Sequence, residues 1–228
     1  FQGKIDEVKI WDTVRTVEEI RANMCQKLQG TQPDLSSYFR FDETIGGIVP
    51  NVTSAVDGQL YNFQGLGLNE AWQRSGAPIG TKSTHTYKDV DQLSLGISAG
   101  DSLILSASDV PDFVHLYFVE EVPNVLQPAN DYVLVDNSSY FGLFYANQSI
   151  SNYNLKYFYA DNPFAAVQEQ NLGLLQRRNN AQSYWDNAPQ FQVDQNEHSV
   201  STSGTQYQEF ILAIRDSLLL SPLSAQLA

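Results

Sequence analysis

Retaining hydrolysis of a glycosidic bond needs two carboxylates about 5–5.5 Å apart, which on a strand means two acids on one face. The acidic pairs of this chain, Asp6-Glu7, Asp42-Glu43 and Glu120-Glu121, are adjacent, so on a strand the members of each pair point to opposite faces. Surface and turn roles are expected for them. His85, His115 and His198 lack the spacing that puts two imidazoles on one helix face for zinc. Each is expected to stand alone, on the surface or half-buried. No Gly-x-Ser-x-Gly elbow and no phosphate-binding glycine loop occurs. The single cysteine, Cys25, falls in a helical pattern and reads as a small packing residue. The expectation is a non-catalytic chain, not an enzyme.

Two binding chemistries remain open. Calcium needs only oxygen ligands, and Asp42, Asn51 and Asp57 flank a loop that could fold around one ion. Asp and Asn are equally the default residues of turns. No other cofactor is implied. Sugars stack on aromatic rings while Asn, Gln and Asp bond their hydroxyls, which makes Trp72, Trp185, Tyr184, Tyr61 and Tyr140 the candidate glycan-binding residues. Strands also use such rings as core and as cross-strand pairs. Trp11 is expected to pack against a helix.

Size and charge narrow the partners. With 228 residues the chain can build one large or two modest β-domains with real cores, without a disulfide framework. Its 26 acidic and 13 basic residues give a net charge of −13, which repels polyanions and argues against nucleic acid and anionic membrane surfaces. Only 17% of residues are charged. Asn, Gln, Ser, Thr and Tyr supply the polarity instead, a composition shared by many extracellular modules. No apolar run reaches the roughly 18 residues needed to cross a bilayer, so no membrane insertion is expected, and no signal peptide is visible. The chain opens on Phe1-Gln2-Gly3 without an initiator Met and reads as a processed or excised fragment.

Positioning falls to strands. Thr16 and Glu19 form a capping box, Val17, Ile20, Met24 and Leu28 share one face, and Gly30 offers a stop. One short helix over about 17–28 is therefore expected. Upstream, residues 4–11 read as a strand. Further strands are expected at 102–106, 114–119, 132–135, 140–146, 153–159, 172–177 and 207–214, where aromatic and β-branched residues alternate between Gly, Pro, Asn and Asp. Many short strands at this spacing predict an all-β jelly roll or β-sandwich. The composition shifts at Gly76-Ala77-Pro78-Ile79-Gly80, which divides the chain into residues 1–80 and 81–228.

Two stretches resemble a known family. Gly3-Lys4-Ile5-Asp6-Glu7-Val8-Lys9-Ile10-Trp11, followed by Arg15-Thr16-Val17-Glu18-Glu19-Ile20, is similar to the late strand and short helix of laminin-G-like, concanavalin A-like jelly-roll domains. Ser37 to Glu43, Gly46-Gly47 and Asp57-Gly58-Gln59-Leu60 resemble the segment that opens or trails such domains. Thr53-Ser54-Ala55-Val56 replaces the family's Asn-rich turn, so no complete jelly roll is expected to begin after residue 37. Residues 72–80, 115–124, 140–144 and 209–212 resemble an accessory β-sandwich module of large bacterial surface proteins exported by the type IX route. In related jelly rolls calcium lies near the sugar-binding edge. The triplets centred on Thr13, Ser102 and Ser217 resemble an O-glycosylation signal of such bacteria.

The resemblance implies a β-sandwich in a long secreted or cell-surface protein and no activity. Together with the polar, aromatic-rich composition and the lack of catalytic constellations it leads to the expectation of a role in adhesion or glycan binding. Its partners would be glycans or other surface components, neighbouring domains, or copies of the same protein. A structural stalk or filament subunit is the first alternative, and a concanavalin-type glycoside hydrolase the second. Ile5, Val8 and Ile10 need cover, since burying one such side chain is worth roughly 1.5–3 kcal/mol. The strand at 38–42, with Phe39 and Phe41 facing them, is the expected partner within the chain, and an outside segment is expected to complete the sheet.

Overall fold

The computed structural model describes residues 2–30, 32–53, 56–62, 71–87, 91–107, 112–146 and 152–216. The chain is all-β apart from short helices and divides into two compact units, Phe1–Ala77 and Pro78–Ala228. No helix among the described residues is long and apolar enough to cross a membrane.

In the first unit β1 (Val8–Trp11) pairs antiparallel with β2 (Leu35–Phe39), with Val8 opposite Phe39 and Ile10 opposite Ser37. The expected pairing forms, but through a different face. Tyr38 and Leu35 are the buried residues of β2, Phe39 is half-buried, and Phe41 lies beyond the strand end with φ at 60°. Tyr38 joins Leu28 and Leu35 in a small core against which Trp11 packs. The Trp11 ring is also covered by the Arg15 guanidinium at 4.2 Å. A second hairpin, β3 (Ile48–Val49) with β4 (Gly58–Gln59), completes the unit.

Helix α1 spans Val17–Met24, shorter than the 17–28 expected from periodicity. Its start is the predicted capping box: Glu19 N donates to Thr16 Oγ1 (3.2 Å) and Thr16 N to Glu19 Oε2 (2.8 Å). Its end comes early where Lys9 Nζ donates to the carbonyls of Asn23 (3.3 Å), in the last turn, and of Gln26 (3.0 Å), just beyond it, satisfying groups that another turn would otherwise take. Gly30, with φ at 63°, lies outside the helix. The predicted apolar face is largely uncovered: Val17 is 55% exposed and Ile20 54%, and Leu28 alone of that set is buried.

The second unit is a sandwich of two antiparallel sheets. The larger runs β13 (Asp186–Asn187), β12 (Leu172–Arg177), β16 (Gln208–Arg215), β10 (Tyr140–Ala146), β8 (Phe113–Val119), β5 (Lys82–Thr86). β9 (Tyr132–Val135) pairs with the far half of β16, in line with β10. Asp136 holds the jog between β9 and β10, its carboxylate accepting from the amides and hydroxyls of Ser138 and Ser139. The smaller sheet runs β14 (Phe191–Asp194), β15 (Ser199–Gly204), β11 (Tyr153–Tyr159), β7 (Asp101–Ala107), β6 (Gln92–Gly96). One helical turn, α2 (Pro163–Val167), is capped by Asn162.

Alternation decides which face each strand buries. Leu103, Leu105, Leu155, Tyr157 and Val200 of the smaller sheet meet Leu116, Phe118, Phe141, Leu174, Phe210 and Leu212 of the larger one in a single core. The larger sheet is buried on its other face too. There Tyr117, Val119, Tyr140, Leu175, Ile211 and Ala213 are covered by Val125 and Trp185 from the flanking loops. Gly142 lies directly across from Tyr117, and a Cβ there would come within 2.4 Å of the phenol oxygen. The ring can lie over the strand only because the position is glycine.

Candidate functional site

With both faces of the larger sheet covered, the open sheet surface of the second unit is the outer face of the smaller sheet. Pair registers order its side chains into rows that cross the strands. The central row is Ser94, Ile104, Lys156, Ser201 and Gln192. On one side lie Gln92, Ser106, Asn154 and Ser203, and on the other Gly96, Ser102, Phe158, Ser199 and Asp194. Adjacent strands are about 4.8 Å apart, and rows on one face about 6.8 Å. Hydroxyls and amides therefore recur on a regular grid.

Ser94, Asn154 and Gln192 are exposed, while Ser102, Ile104, Ser106, Lys156, Phe158 and Ser201 are half-buried. Ile104 and Phe158 are diagonal neighbours at the centre. They form a small apolar island in a polar surface, with the Lys156 ammonium 4.7 Å from the Phe158 ring. Lys156 also pairs with Glu197, so the one cation of the rows is neutralised locally. Asp194, the one carboxylate of the rows, accepts from the amides of Asn196 (2.9 Å) and Glu197 (3.2 Å) and thereby builds the β14–β15 turn. Lys156, Gln192, Asp194, Asn196, Ser199 and Ser201 line a shallow depression toward that turn. Ser94, Ser106, Asn154, Gln192 and Ser201 make no side-chain hydrogen bond to another described residue, so their donors and acceptors face outward.

The predicted aromatic sites are not gathered at this face. Trp185 is 3% exposed, donates its indole N–H to Val125 O (2.9 Å) and lies 4.1 Å from the Arg177 guanidinium. Tyr140 is likewise buried and meets Trp185 edge-on at 6.2 Å. Neither ring has a face open to a sugar, because both close the outer core of the larger sheet. Tyr184 is exposed. Trp72 and Tyr61 belong to the first unit. Half-buried Trp72 packs on Phe41 (6.3 Å) and donates to Gly46 O (2.8 Å), and exposed Tyr61 donates to Gln59 Oε1 (2.6 Å).

The expected calcium ligands are engaged by the protein's own groups. Asp42 pairs with Lys27 at 2.9 Å. Asn51 Oδ1 accepts from Tyr38 N, Thr53 N and Thr53 Oγ1, and Asp57 Oδ1 accepts from Asn51 N. This is the turn-building use of Asp and Asn. Among the described residues no cluster of three or more His, Cys, Asp or Glu side chains is placed to hold a metal ion. Thr13 is exposed after β1, Ser102 is half-buried on the outer face, and Ser217 lies outside the described residues. Asp101, which precedes Ser102, is buried and accepts from Asp161 N (2.7 Å) and Tyr157 Oη (3.1 Å).

The histidines differ from expectation. His85 and His115 stand directly opposite on β5 and β8, and His115 is fully buried. It stacks on Tyr117 at 5.2 Å, and burial pulls its pKa down to about 3. His198 is 2.8 Å from Glu169.

The sequence reading passed over β5, β6, β14 and β15, and with them much of the outer face. The signal was the period of two in Gln92-Leu93-Ser94-Leu95-Gly96 and Ser199-Val200-Ser201-Thr202-Ser203. Small polar residues and glycine at the outward positions hid it. Comparison of the chain with protein-family models, with curated proteins and with solved structures found no match.

Proposed function

We propose that this chain is a non-catalytic adhesion or glycan-binding segment of a secreted or cell-surface protein, and that the outer face of the five-stranded sheet is its binding surface. The observation that carries the reading is the grid of outward hydroxyl and amide side chains around Ile104 and Phe158. Such a surface offers donors, acceptors and an apolar contact together, the combination that recognises a pyranose. The carboxylates at the face support a binding role over hydrolysis, since Asp194 builds a turn and Glu197 holds Lys156. The jelly-roll resemblance and the neutral-polar composition favour the same reading.

The test is a glycan array probed with the full chain. Phe158→Ala and Ser201→Glu are each expected to weaken the best hit at least tenfold while the thermal midpoint stays within a few degrees. Retained binding by both variants would move the site elsewhere.

A second reading, a stalk or filament subunit, is favoured by the apolar side chains that the first unit leaves uncovered: Ile5, Ile10, Val17 and Ile20 are each about half exposed. Exposed apolar surface marks association sites where it is contiguous. Sedimentation of the full chain is expected to show concentration-dependent association that Ile20→Glu abolishes. A monomer at every concentration would remove this reading.

A further inference from the structure

Resting on the glycan-binding reading, we propose that the ligand is an extended, uncharged polysaccharide laid across the strands along the row Ser94, Ile104, Lys156, Ser201 and Gln192. The shape of the face argues for a chain over a sugar terminus. The grid lies on the outside of an open sheet, and the depression toward the β14–β15 turn is shallow. A single sugar there would keep most of its surface in water. Affinity must then be collected from several units in succession, and the five-strand row spans four inter-strand steps, roughly 19 Å. That is the length of several linked hexoses. Along the strands the three rows cover only about 14 Å, so the longer register lies across them.

The chemistry of the row selects against charge. Serine hydroxyls and side-chain amides both donate and accept, which matches a ligand whose own hydroxyls do both. A polyanion presents mainly acceptors and needs cations. Lys156, the one cation of the described rows, is already paired with Glu197, Asp194 lies two strands over in the next row, and the whole chain carries a charge of −13. A protein partner would seek a desolvated apolar centre, whereas this face offers one isoleucine and one phenylalanine. Ile104 and Phe158 are instead suited to the apolar face of a single pyranose at mid-row, with hydroxyl partners continuing to either side.

The test is calorimetric titration of the full chain with neutral gluco- and manno-oligosaccharides from monomer to hexamer, alongside alginate and heparin, at low and high salt. Affinity is expected to rise at least tenfold from monomer to tetramer, to level off near that length, and to change less than twofold with salt. Ile104→Lys, at the centre of the row, should remove the length dependence. Binding that saturates with a monosaccharide, or that prefers the polyanions and fades with salt, would overturn the extended neutral ligand while leaving the glycan-binding reading intact. Absence of binding to every sugar by the folded chain would overturn both.

Discussion

Replacing Arg177 with methionine is expected to destabilise the second unit by about 3–5 kcal/mol, the usual cost of removing one partner from a buried ion pair. Arg177 and Glu209 are each 1% exposed, with Nε 2.6 Å from Glu209 Oε2. The remaining guanidinium nitrogens donate to Asn124 Oδ1 (2.6 Å) and Asn180 Oδ1 (2.7 Å), and Tyr117 Oη donates to Glu209 Oε1 (3.0 Å). The planar cation lies against Trp185 and Tyr140. One side chain thus fastens the loops that carry Asn124, Asn180 and Trp185 onto the outer face of the larger sheet. Burial already raises the Glu209 carboxyl above its ordinary value despite the pull of Arg177, and without the arginine it rises further. A carboxyl with a raised folded-state pKa contributes stability at low pH that is lost as pH rises through that value. The Arg177→Met defect should therefore be larger at pH 8 than at pH 5. Denaturant unfolding at both values reads the difference. The double change Arg177→Met with Glu209→Leu should recover much of the loss, because no charge is left buried. A defect below about 1 kcal/mol, or one independent of pH, would show that the cluster is not a fastening.

Nothing in the residues around Arg177 announces this role. Its partners Asn124 and Glu209 lie 53 and 32 positions away, and short-range pattern carries no such information. What short-range pattern does carry is visible in β9, β10, β11 and β12, whose observed bounds coincide with the predicted ones. There aromatic and branched residues favour the pleated, half-buried surface. β5 reads Lys-Ser-Thr-His-Thr and lacks any apolar alternation. Its strand conformation comes from pairing with β8, a tertiary cause. The helix shows both sides of the matter: its capping box is local and was legible, whereas its end depends on Lys9 from another element.

The polar character of the outer face was legible in composition, and its place in the fold was not. Polar side chains with scattered aromatics pointed to sugar recognition, but ring type alone does not distinguish a binding platform from core. Tyr184 and Trp185 are neighbours, one 56% exposed and one 3%. Which of the two turns inward is settled by the Arg177 guanidinium and the Val125 carbonyl. The outward serines of β7 and β15 are unremarkable singly. They become a surface only when strand register aligns them with Lys156 and Phe158 of β11.

His115→Phe is expected to stabilise the protein, and to do so more strongly in acid. The imidazole is fully buried and neither ring nitrogen has a hydrogen-bond partner. Its surroundings are His85 opposite on β5, Phe144 opposite on β10, and Phe113 and Tyr117 stacked on either side along its own strand. The nearest ion pair, Glu209 with Arg177, is engaged through the Tyr117 hydroxyl and with itself. No carboxylate faces the ring in these pairings, so burial and the neighbouring His85 hold its pKa down to about 3. Below the ordinary histidine value near 6.5 the unfolded chain takes up a proton that the folded chain refuses. Stability is therefore lost as pH falls from about 6.5 toward 3. Phenylalanine fits the aromatic stack, removes the unsatisfied nitrogens, and should gain about 1 kcal/mol at pH 7.5. It also removes the proton linkage, so its advantage should widen by roughly 2–3 kcal/mol at pH 4.5. Groups distant from His115 titrate alike in both proteins and cancel in the difference. Unfolding of the two proteins by urea at both pH values measures it directly. An advantage that stays constant with pH would show that the folded protein accepts the proton on His115, and hence that the strands around it open to water more readily than their packing implies.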